Sequence, residues 1–297
     1  VPALVCSSFS DQELHTWDTF DAFTRLKSKH KWLYSHRRQK WGAYYGKQEL
    51  ELQRRFFDRF LKGNDHAMDG VPRVHLEVSV GRSEYKSVKA DDWPIPATDY
   101  QSLFLDAATS ELQISQPKQE SEIVTAPTPT GDPENRAVFD FSFQQETYLI
   151  GHMALKLFVE IEESSDLDFI VCVKKLDRQG NEVYFFSASG GNANGPVTRG
   201  WLRASFRRLN NARSTPWRPA LAMQPEPIPP GKIVSLDIAL MPSATLFNPG
   251  ERLRLIVQSW SKSDKWEGGV WDTIRTGRCR IHTGPTNPSH LLVPKVN

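Results

Sequence analysis

The N-terminal part of the chain alternates between short apolar runs and segments of helical periodicity. Ala3–Phe9 is an almost continuous apolar run, typical of a parallel strand covered on both faces. Lys31–Ser35 is a second, shorter run rich in aromatic residues. Apolar residues recur mostly at helical spacing in His15–Lys27 and Gln48–Lys62, and Gly63 follows where helices commonly end on a left-handed glycine. This alternation predicts a parallel sheet with helices packed on its faces.

After Gly63 the pattern becomes that of an all-β protein. Asn64–Gly70 is a turn-rich linker, and from Val74 to Val80 apolar and polar residues alternate, as expected for a half-buried strand. Most of the 20 prolines and 18 glycines fall between later apolar runs. The strands predicted from these runs are Ser102–Asp106, Val138–Phe143, Ala154–Ile161, Phe169–Leu176, Val183–Ser187, Leu202–Arg207, Ile233–Leu240, Arg252–Trp260, Cys279–His282 and Leu291–Val293.

This change of pattern divides the chain into two predicted domains. Residues 1–63 are predicted to be parallel strands with helices packed on their faces. Residues 64–297 are predicted to form an all-β jelly-roll sandwich, because about ten short strands separated by turns suit that architecture. Within the second domain, Pro117–Glu134 is predicted to be a polar connection.

Composition and charge narrow the class of protein. The chain has 297 residues, 39% of them hydrophobic, which is enough for a substantial core. Its 37 basic and 35 acidic residues give a net charge of +2, so nothing favours nucleic acid or an anionic membrane as a partner. No apolar run approaches the roughly 18 residues that a membrane span needs.

The cysteines and histidines give no sign of a metal site or a disulfide framework. Cys6, Cys172 and Cys279 lie far apart, which fits neither arrangement and favours a reducing compartment. We therefore expect a cytoplasmic protein. The histidines of the β region lack partners at ligand spacing, so neither a metal nor a cofactor is predicted.

An acid and a histidine follow the two predicted parallel strands. Asp11 comes just after the first strand, and His36 comes 25 residues later, at the end of the second. In α/β-hydrolases the last two members of the Ser-Asp-His triad follow in this same order: a strand, the acid, a helix, a strand and the histidine. In such a triad Asp11 would orient the imidazole and His36 would act as general base. Alternatively, Asp11 caps the following helix, His36 is a surface histidine, or His15 is the base.

The expected nucleophile is missing from this chain. No Gly-x-Ser-x-Gly sequence occurs in it, and both Gly81–Tyr85 and Ser187–Gly191 lack one of the two glycines. Because the serine precedes the acid in this order, we expect it on an absent or separate N-terminal segment. The chain alone is then expected to be inactive.

Several tryptophans of the β region have two interpretations. Trp93, Trp201, Trp260, Trp266 and Trp271 could line a pocket for a sugar or an acyl group. Aromatic residues at strand ends of a sandwich belong to the core more often, and we favour that interpretation.

Many segments in the same order resemble one known family. They are Pro2–Val5, Ser10–Asp11, Leu14–Thr16, Lys31–His36, Lys40–Trp41, Tyr44–Tyr45, Gln53–Gly63, Asp92–Pro94, Gly200–Ser205, Pro230–Lys232, Asp237–Ile238, Met241–Ser243 and Pro249–Leu255. On these segments the chain resembles the C-terminal part of the X-Pro dipeptidyl-peptidase/cocaine-esterase (CocE/NonD) family of serine hydrolases, over essentially its whole length.

The resemblance implies that residues 1–63 are the C-terminal segment of an α/β-hydrolase domain and that residues 64–297 are a jelly roll that packs against it and helps to wall the active site. It also implies cleavage of small esters or amides through an acyl-enzyme, without a cofactor. Asp11 matches the triad acid and His36 matches the triad base, while the nucleophile and oxyanion-hole residues would lie before Val1. Arg37 departs from the pattern, because many members have glycine or a small residue after the base. Family members can dimerise, so a homo-oligomer is compatible with the resemblance.

Two functional hypotheses follow. In the first, the chain is the C-terminal part of a serine hydrolase and needs an N-terminal segment that carries the serine. In the second, it is a non-catalytic β-sandwich for binding or assembly, and residues 1–63 dock on a partner. Two isolated parallel strands would expose apolar edges and faces, which favours a covering partner and the first hypothesis.

Overall fold

The computed structural model describes residues 1–12, 14–126, 135–188, 194–259 and 277–296. Within these ranges the chain is mostly β. The elements in chain order are β1 Ala3–Ser8, α1 Thr16–Arg25, β2 Lys31–His36, α2 Lys40–Tyr44, α3 Lys47–Lys62, β3 Val74–Ser79, β4 Tyr85–Ala90, β5 Asp99–Asp106, β6 Glu111–Gln113, β7 Ser121–Thr125, β8 Ala137–Ser142, β9 Thr147–Glu162, β10 Asp168–Leu176, β11 Glu182–Val183, β12 Thr198–Arg203, β13 Ile233–Phe247, β14 Arg252–Ser259, β15 Arg278–Thr283 and β16 His290–Val296.

The first three strands are parallel. β1 pairs with β2 in a register that ends with Ser8 opposite His36, and β2 pairs with β3. Helix α1 connects β1 to β2 and buries Phe20 and Phe23 completely, in keeping with its apolar spacing. Helix α3 ends at Gly63, whose φ of 73° is the left-handed conformation expected there.

Strand β3 is more buried than its alternating sequence predicts. Its apolar face contributes Leu76 and Val78 to a core, but Glu77 and Ser79 on the other face are also only 6% and 4% exposed. Side chains from β2 and α3 cover that face, and Glu77 hydrogen-bonds to Tyr34. The prediction of a half-buried strand is therefore wrong, because alternation shows which face is polar and not whether it is covered.

Apart from β4, which pairs with β3, the remaining strands form a largely antiparallel sandwich with a large apolar core. The long strand β9 pairs with β13, β15 and β16, and β10 lies between β12 and β14. Inward-facing residues such as Leu155, Val171 and Leu255 are fully buried between the strands. This agrees with the predicted all-β sandwich.

A second apolar core joins the parallel strands to the sandwich. It contains Phe9, Phe20 and Leu33 from the first 63 residues together with Ile150 of β9 and Leu246 of β13. Each such side chain is worth about 1.5–3 kcal/mol when fully buried. The predicted division between residues 63 and 64 coincides with the end of α3, while hydrogen bonds between strands continue across it from β2 to β3. The domain boundary stays a prediction.

Several element boundaries differ from the prediction. Strand β7 lies inside the segment 117–134 that was predicted to be a polar connection. Among the described strands it pairs with β15 alone, and its polar, exposed residues resemble those of a loop because it is an edge strand. β13 continues beyond Leu240 to Phe247, the short helix α2 was not predicted, and β11 is reduced to two residues. Among the described residues, no helix combines the length and apolarity that a membrane span requires.

Candidate active site

Asp11 and His36 lie at the same edge of the parallel sheet. His36 is the last residue of β2, opposite Ser8 of β1, and Asp11 follows Ser8 by three residues. Both are buried, with 4% and 5% of their surface exposed, and both line one cavity of about 230 Å³. The structure thus brings the two predicted site residues together, as expected for the carboxyl ends of neighbouring parallel strands.

The carboxylate of Asp11 pairs with a lysine that the sequence analysis did not single out. Lys40 Nζ lies 2.8 Å from Asp11 Oδ2, and His15 Nε2 lies 4.0 Å from the same oxygen. Helix α1 begins at Thr16 with His15 before it, so Asp11 does not cap the helix through its side chain. Its backbone carbonyl instead accepts from the N–H groups of Leu14, His15 and Thr16.

His36 is held as a neutral imidazole. Burial lowers its pKa to about 4, with the charge of Arg38 lowering it further and those of Glu77 and Glu49 opposing the shift. The backbone N–H of Arg38 donates to His36 Nδ1 at 3.1 Å, so this hydrogen bond assigns the ring proton to Nε2. A general base must be unprotonated at working pH, and His36 meets that condition.

The pair does not have the geometry of an assembled triad. In a triad the Nδ1–H of the base donates to the acid, whereas here Nδ1 accepts from the backbone. In the part of the chain that the structure describes, Asp11 and His36 form no hydrogen bond with each other. Asp11 is engaged by Lys40 at a distance that suits a charge-assisted hydrogen bond.

A buried polar cluster lies beside His36. The Tyr34 hydroxyl lies 2.8 Å from Glu49 Oε1 and 2.6 Å from Glu77 Oε1, and Arg38 donates to both carboxylates. The Tyr34 ring lies 5.7 Å from the His36 ring between centroids. Burial and the two carboxylates raise the pKa of Tyr34, so it stays a donor. Sequence analysis missed this cluster, although a tyrosine on a buried strand was a signal, because its hydroxyl needs a partner.

Cys6 also lines the cavity, but it is poorly suited to act as a nucleophile. Although Cys6 is exposed to solvent, desolvation by the surrounding protein raises the pKa of its thiol, and the charge of Glu49 adds to the shift. The thiolate is the reactive form of cysteine, so this thiol is largely unreactive at neutral pH. Cys172 and Cys279 are buried in β10 and β15.

Arg37 connects the candidate site to the sandwich. Its guanidinium donates to the carbonyls of Pro196, Val197 and Phe186, and it lies over the ring of Phe185 at 4.9 Å. These carbonyls belong to the chain between β11 and β12. Arg37 is only 5% exposed and has four backbone or ring contacts in the sandwich, which gives a physical role to the residue that departs from the family pattern.

The other candidates fall outside the site. Trp93 is buried in the second core, as favoured above, whereas Trp201 is 41% exposed on β12. Trp260, Trp266 and Trp271 lie outside the described residues. Across the described ranges, no group of three or more histidine, cysteine, aspartate or glutamate side chains could hold a metal ion.

Comparison with known proteins places this geometry in context. The family model of the X-Pro dipeptidyl-peptidase C-terminal non-catalytic domain matches residues 65–292. Asp11 and His36 precede the matched range.

Longer proteins resemble all or most of the chain. A crystal structure of a CocE/NonD family hydrolase from Staphylococcus aureus is 32% identical and superposes with a TM-score of 0.93, over 100% of this chain and 54% of that one. The cocaine esterase of a Rhodococcus species is 24% identical over 287 residues, which cover 82% of this chain and 45% of that protein. A protein assigned as a serine esterase in Mycobacterium bovis is 28% identical over 261 residues, covering 77% and 39%. The chain therefore spans about half the length of these relatives or less.

Proposed function

We propose that this chain, which belongs to the family of X-Pro dipeptidyl-peptidase C-terminal domains found at the C-terminal end of CocE/NonD serine hydrolases, supplies the acid and the base of a Ser-His-Asp triad. The serine is carried by an N-terminal segment of the same enzyme. In this proposal β1 and β2 are the last strands of an α/β-hydrolase domain, and the region after Gly63 is a jelly roll. The substrate is a small ester or amide.

The observation that carries the proposal is the placement of Asp11 and His36. Both are buried side chains at the carboxyl ends of adjacent parallel strands, and both line the same cavity. Buried ionisable side chains that share a cavity and have a strongly shifted pKa, as His36 has, are found more often at functional sites than elsewhere. The order of strand, acid, helix, strand and histidine agrees with this placement.

In the proposed mechanism, His36 takes the proton of the serine through one ring nitrogen while Asp11 accepts a hydrogen bond from the other. The acyl-enzyme forms when the serine attacks the carbonyl, and His36 gives the proton to the leaving group. In the same way His36 then activates water to release the acid. Before the serine can react, two hydrogen bonds must be given up. His36 Nδ1 must separate from the Arg38 N–H and become protonated so that it can donate to Asp11, and the Asp11 carboxylate must turn away from Lys40.

The exposed apolar surface of the N-terminal region supports a covering segment. Leu50, Phe57 and Leu61 share one side of α3 and are 46%, 51% and 76% exposed, and Trp41 of α2 is 62% exposed. Large contiguous apolar surfaces of this kind mark interfaces. Strand β1 pairs only with β2 among the described strands, so its other edge is available to a further strand. An N-terminal segment that completes the sheet would cover both features.

The test is to identify a serine-bearing partner and then remove the base. Native and denaturing mass spectrometry of the purified protein shows whether a second polypeptide or a second copy is bound. A fluorophosphonate probe then labels the active serine. With the serine-bearing segment present, His36→Ala is expected to reduce hydrolysis of a p-nitrophenyl ester by at least about 10²–10⁴-fold, because a general base is lost. The matched control His66→Ala removes a histidine with 89% of its side chain exposed and should leave the rate unchanged.

Two results would overturn the proposal. One is full activity of the complex after His36→Ala. The other is a folded chain that binds no serine-bearing polypeptide and does not acquire activity when one is supplied. A non-catalytic binding or assembly module would then be the better interpretation. The description of the family model favours that second candidate for residues 65–292.

A further inference from the structure

A second cavity, of about 310 Å³, lies on the sandwich, away from the candidate active site. It lies against the paired strands β10 and β12, where Ile170 is opposite Trp201. The chain that follows β12 covers it with Phe206, Leu221 and Met223. Its lining is predominantly apolar, and its volume is within the range of about 300–1,000 Å³ typical of ligand sites.

An adjacent cavity, of about 320 Å³, shares three side chains with the first. Trp201, Leu221 and Met223 line both, so the two spaces meet at these residues. Trp201 is 41% exposed and Met223 is 71% exposed, which places large apolar groups at the opening. Methionine is flexible and adapts to different ligand shapes. The two cavities together form a groove with a common apolar middle.

The charges differ between the two ends of this groove. At the first cavity, Arg203 and Asp168 neutralise each other through a bidentate pair, with Nε–Oδ1 and Nη2–Oδ2 distances of 2.7 and 3.2 Å. The second cavity is lined by Arg213 and Arg218 and by no acidic residue.

One of these two arginines is uncompensated. Arg218 pairs with Asp21 of α1, and its guanidinium lies 5.1 Å from the centre of the Trp17 ring. Arg213 has an exposed side chain, and within the described residues it forms no ion pair. Burial lowers the pKa of Arg218; Asp21 and Asp18 oppose that shift, whereas Arg25 and Arg213 add to it, so three basic and two acidic side chains lie near this end. This end of the groove therefore carries about one net positive charge.

We propose that the groove binds a small molecule in which an aromatic or branched aliphatic group is joined to a carboxylate. The apolar group occupies the cavity between Ile170, Phe206 and Leu221. The carboxylate reaches Arg213, with Arg218 and the edge of Trp17 beside it. A single uncompensated guanidinium matches a monoanion, and a guanidinium pairs with a carboxylate through two parallel hydrogen bonds.

The test uses the chain by itself and does not depend on the proposed triad. Isothermal titration calorimetry compares 3-phenylpropionate with its neutral amide, 3-phenylpropionamide. For ligands of this size we expect a Kd of about 1 mM for the carboxylate, with the amide binding about tenfold more weakly. Arg213→Gln should remove the preference for the carboxylate. Arg208→Gln, which changes an exposed arginine of the same connection outside both cavities, should keep it.

A second variant tests the apolar end. Leu221→Trp fills the first cavity and should abolish binding of both compounds, provided that circular dichroism shows an unchanged fold. If this variant does not fold, Arg213→Gln on the surface still decides the question. Three results would each overturn the proposal. They are equal binding of the acid and the amide, an unchanged preference for the acid in Arg213→Gln, and no binding of either compound at a ligand concentration of about ten times the expected Kd. His36→Ala should bind 3-phenylpropionate like the unchanged chain, so failure here leaves the triad proposal standing.

Discussion

The N-terminal region and the sandwich differ in which charged side chains they bury and which apolar side chains they expose. The region from β1 to α3 buries Asp11, His36 and Glu49 at its candidate site while Phe57 and Leu61 are exposed on α3. The sandwich encloses an apolar core, and its charges pair across strands at the surface, as in the bidentate contact of Arg254 with Asp140. In the sandwich, apolar side chains are inside and charges are at the surface, as in a domain that folds by itself. In the N-terminal region, apolar side chains remain at the surface, as in a protein interface whose partner is absent.

The two regions are nevertheless firmly connected. The second core buries aromatic residues of α1 against β3, β9 and β13, and Arg37 reaches into the chain before β12. A side chain beside the candidate base is therefore anchored in the sandwich. The sandwich can therefore hold the acid and the base in place, while a further segment covers the exposed apolar surface of the N-terminal region.

The largest change in stability is expected when a leucine of the sandwich, rather than one of the N-terminal region, is shortened to alanine. Leu255→Ala in β14 removes a fully buried side chain and should lower the free energy of unfolding by about 2–5 kcal/mol, because it leaves a cavity. Leu61→Ala in α3, where the side chain is 76% exposed, should change it by no more than about 0.5 kcal/mol. Urea denaturation followed by circular dichroism measures both. A large loss for Leu61→Ala would show that a second copy already covers this face.

The next effect is a dependence of stability on pH that originates at the candidate base. Burial lowers the pKa of His36 to about 4 from an ordinary value of 6.5, so the unfolded chain binds the proton more tightly. The stabilising contribution of this shift is complete above pH 6.5 and is lost as the pH falls towards 4, by up to about 3 kcal/mol. Denaturation at pH 7.0, 5.5 and 4.5 should show a smaller decrease in His36→Gln than in the unchanged chain. His152 is also buried, and its pKa is lowered to about 3, so it causes a similar loss of stability at low pH. That loss is still expected in His36→Gln.

His66→Gln is the control for this experiment. His66 is at the surface, so its replacement should leave the pH dependence unchanged. The same slope in His36→Gln as in the unchanged chain would show that His36 is more accessible to protons than its burial indicates.

The smallest expected effect concerns the connection between the two regions. Arg37→Met leaves the carbonyls of Pro196 and Phe186 without this donor and should lower stability by about 1–3 kcal/mol. Arg208→Met, an exposed change, should have almost no effect. If Arg37 joins two regions of different stability, the variant should unfold in two steps, visible when tryptophan fluorescence and circular dichroism give different midpoints. A single transition with unchanged midpoint would mean that the second core alone joins them.

Much of this architecture could be predicted from local pattern. The apolar run of β1, the helical spacing of α3 and its final Gly63 predict their elements because each depends on neighbours in the sequence. The edge strand β7 could not be predicted, because its exposed polar residues resemble those of a loop. The burial of Glu77 also escaped prediction, because its partners Tyr34 and Arg38 come from another strand and the loop after it.

The sequence alone was enough to predict the order of most elements, the change from the α/β to the β pattern, and the positions of Asp11 and His36 after successive strands, whereas α2 and β7 were missed. These features follow from periodicity and chain order, which are local properties. Only the tertiary structure decided that Lys40 holds the Asp11 carboxylate, that the Arg38 N–H holds His36 Nδ1, and that Trp201 lies at a groove rather than in the core. These contacts depend on which side chains from distant parts of the chain meet and on how far water is excluded, and neither can be predicted from the spacing of residues along one strand.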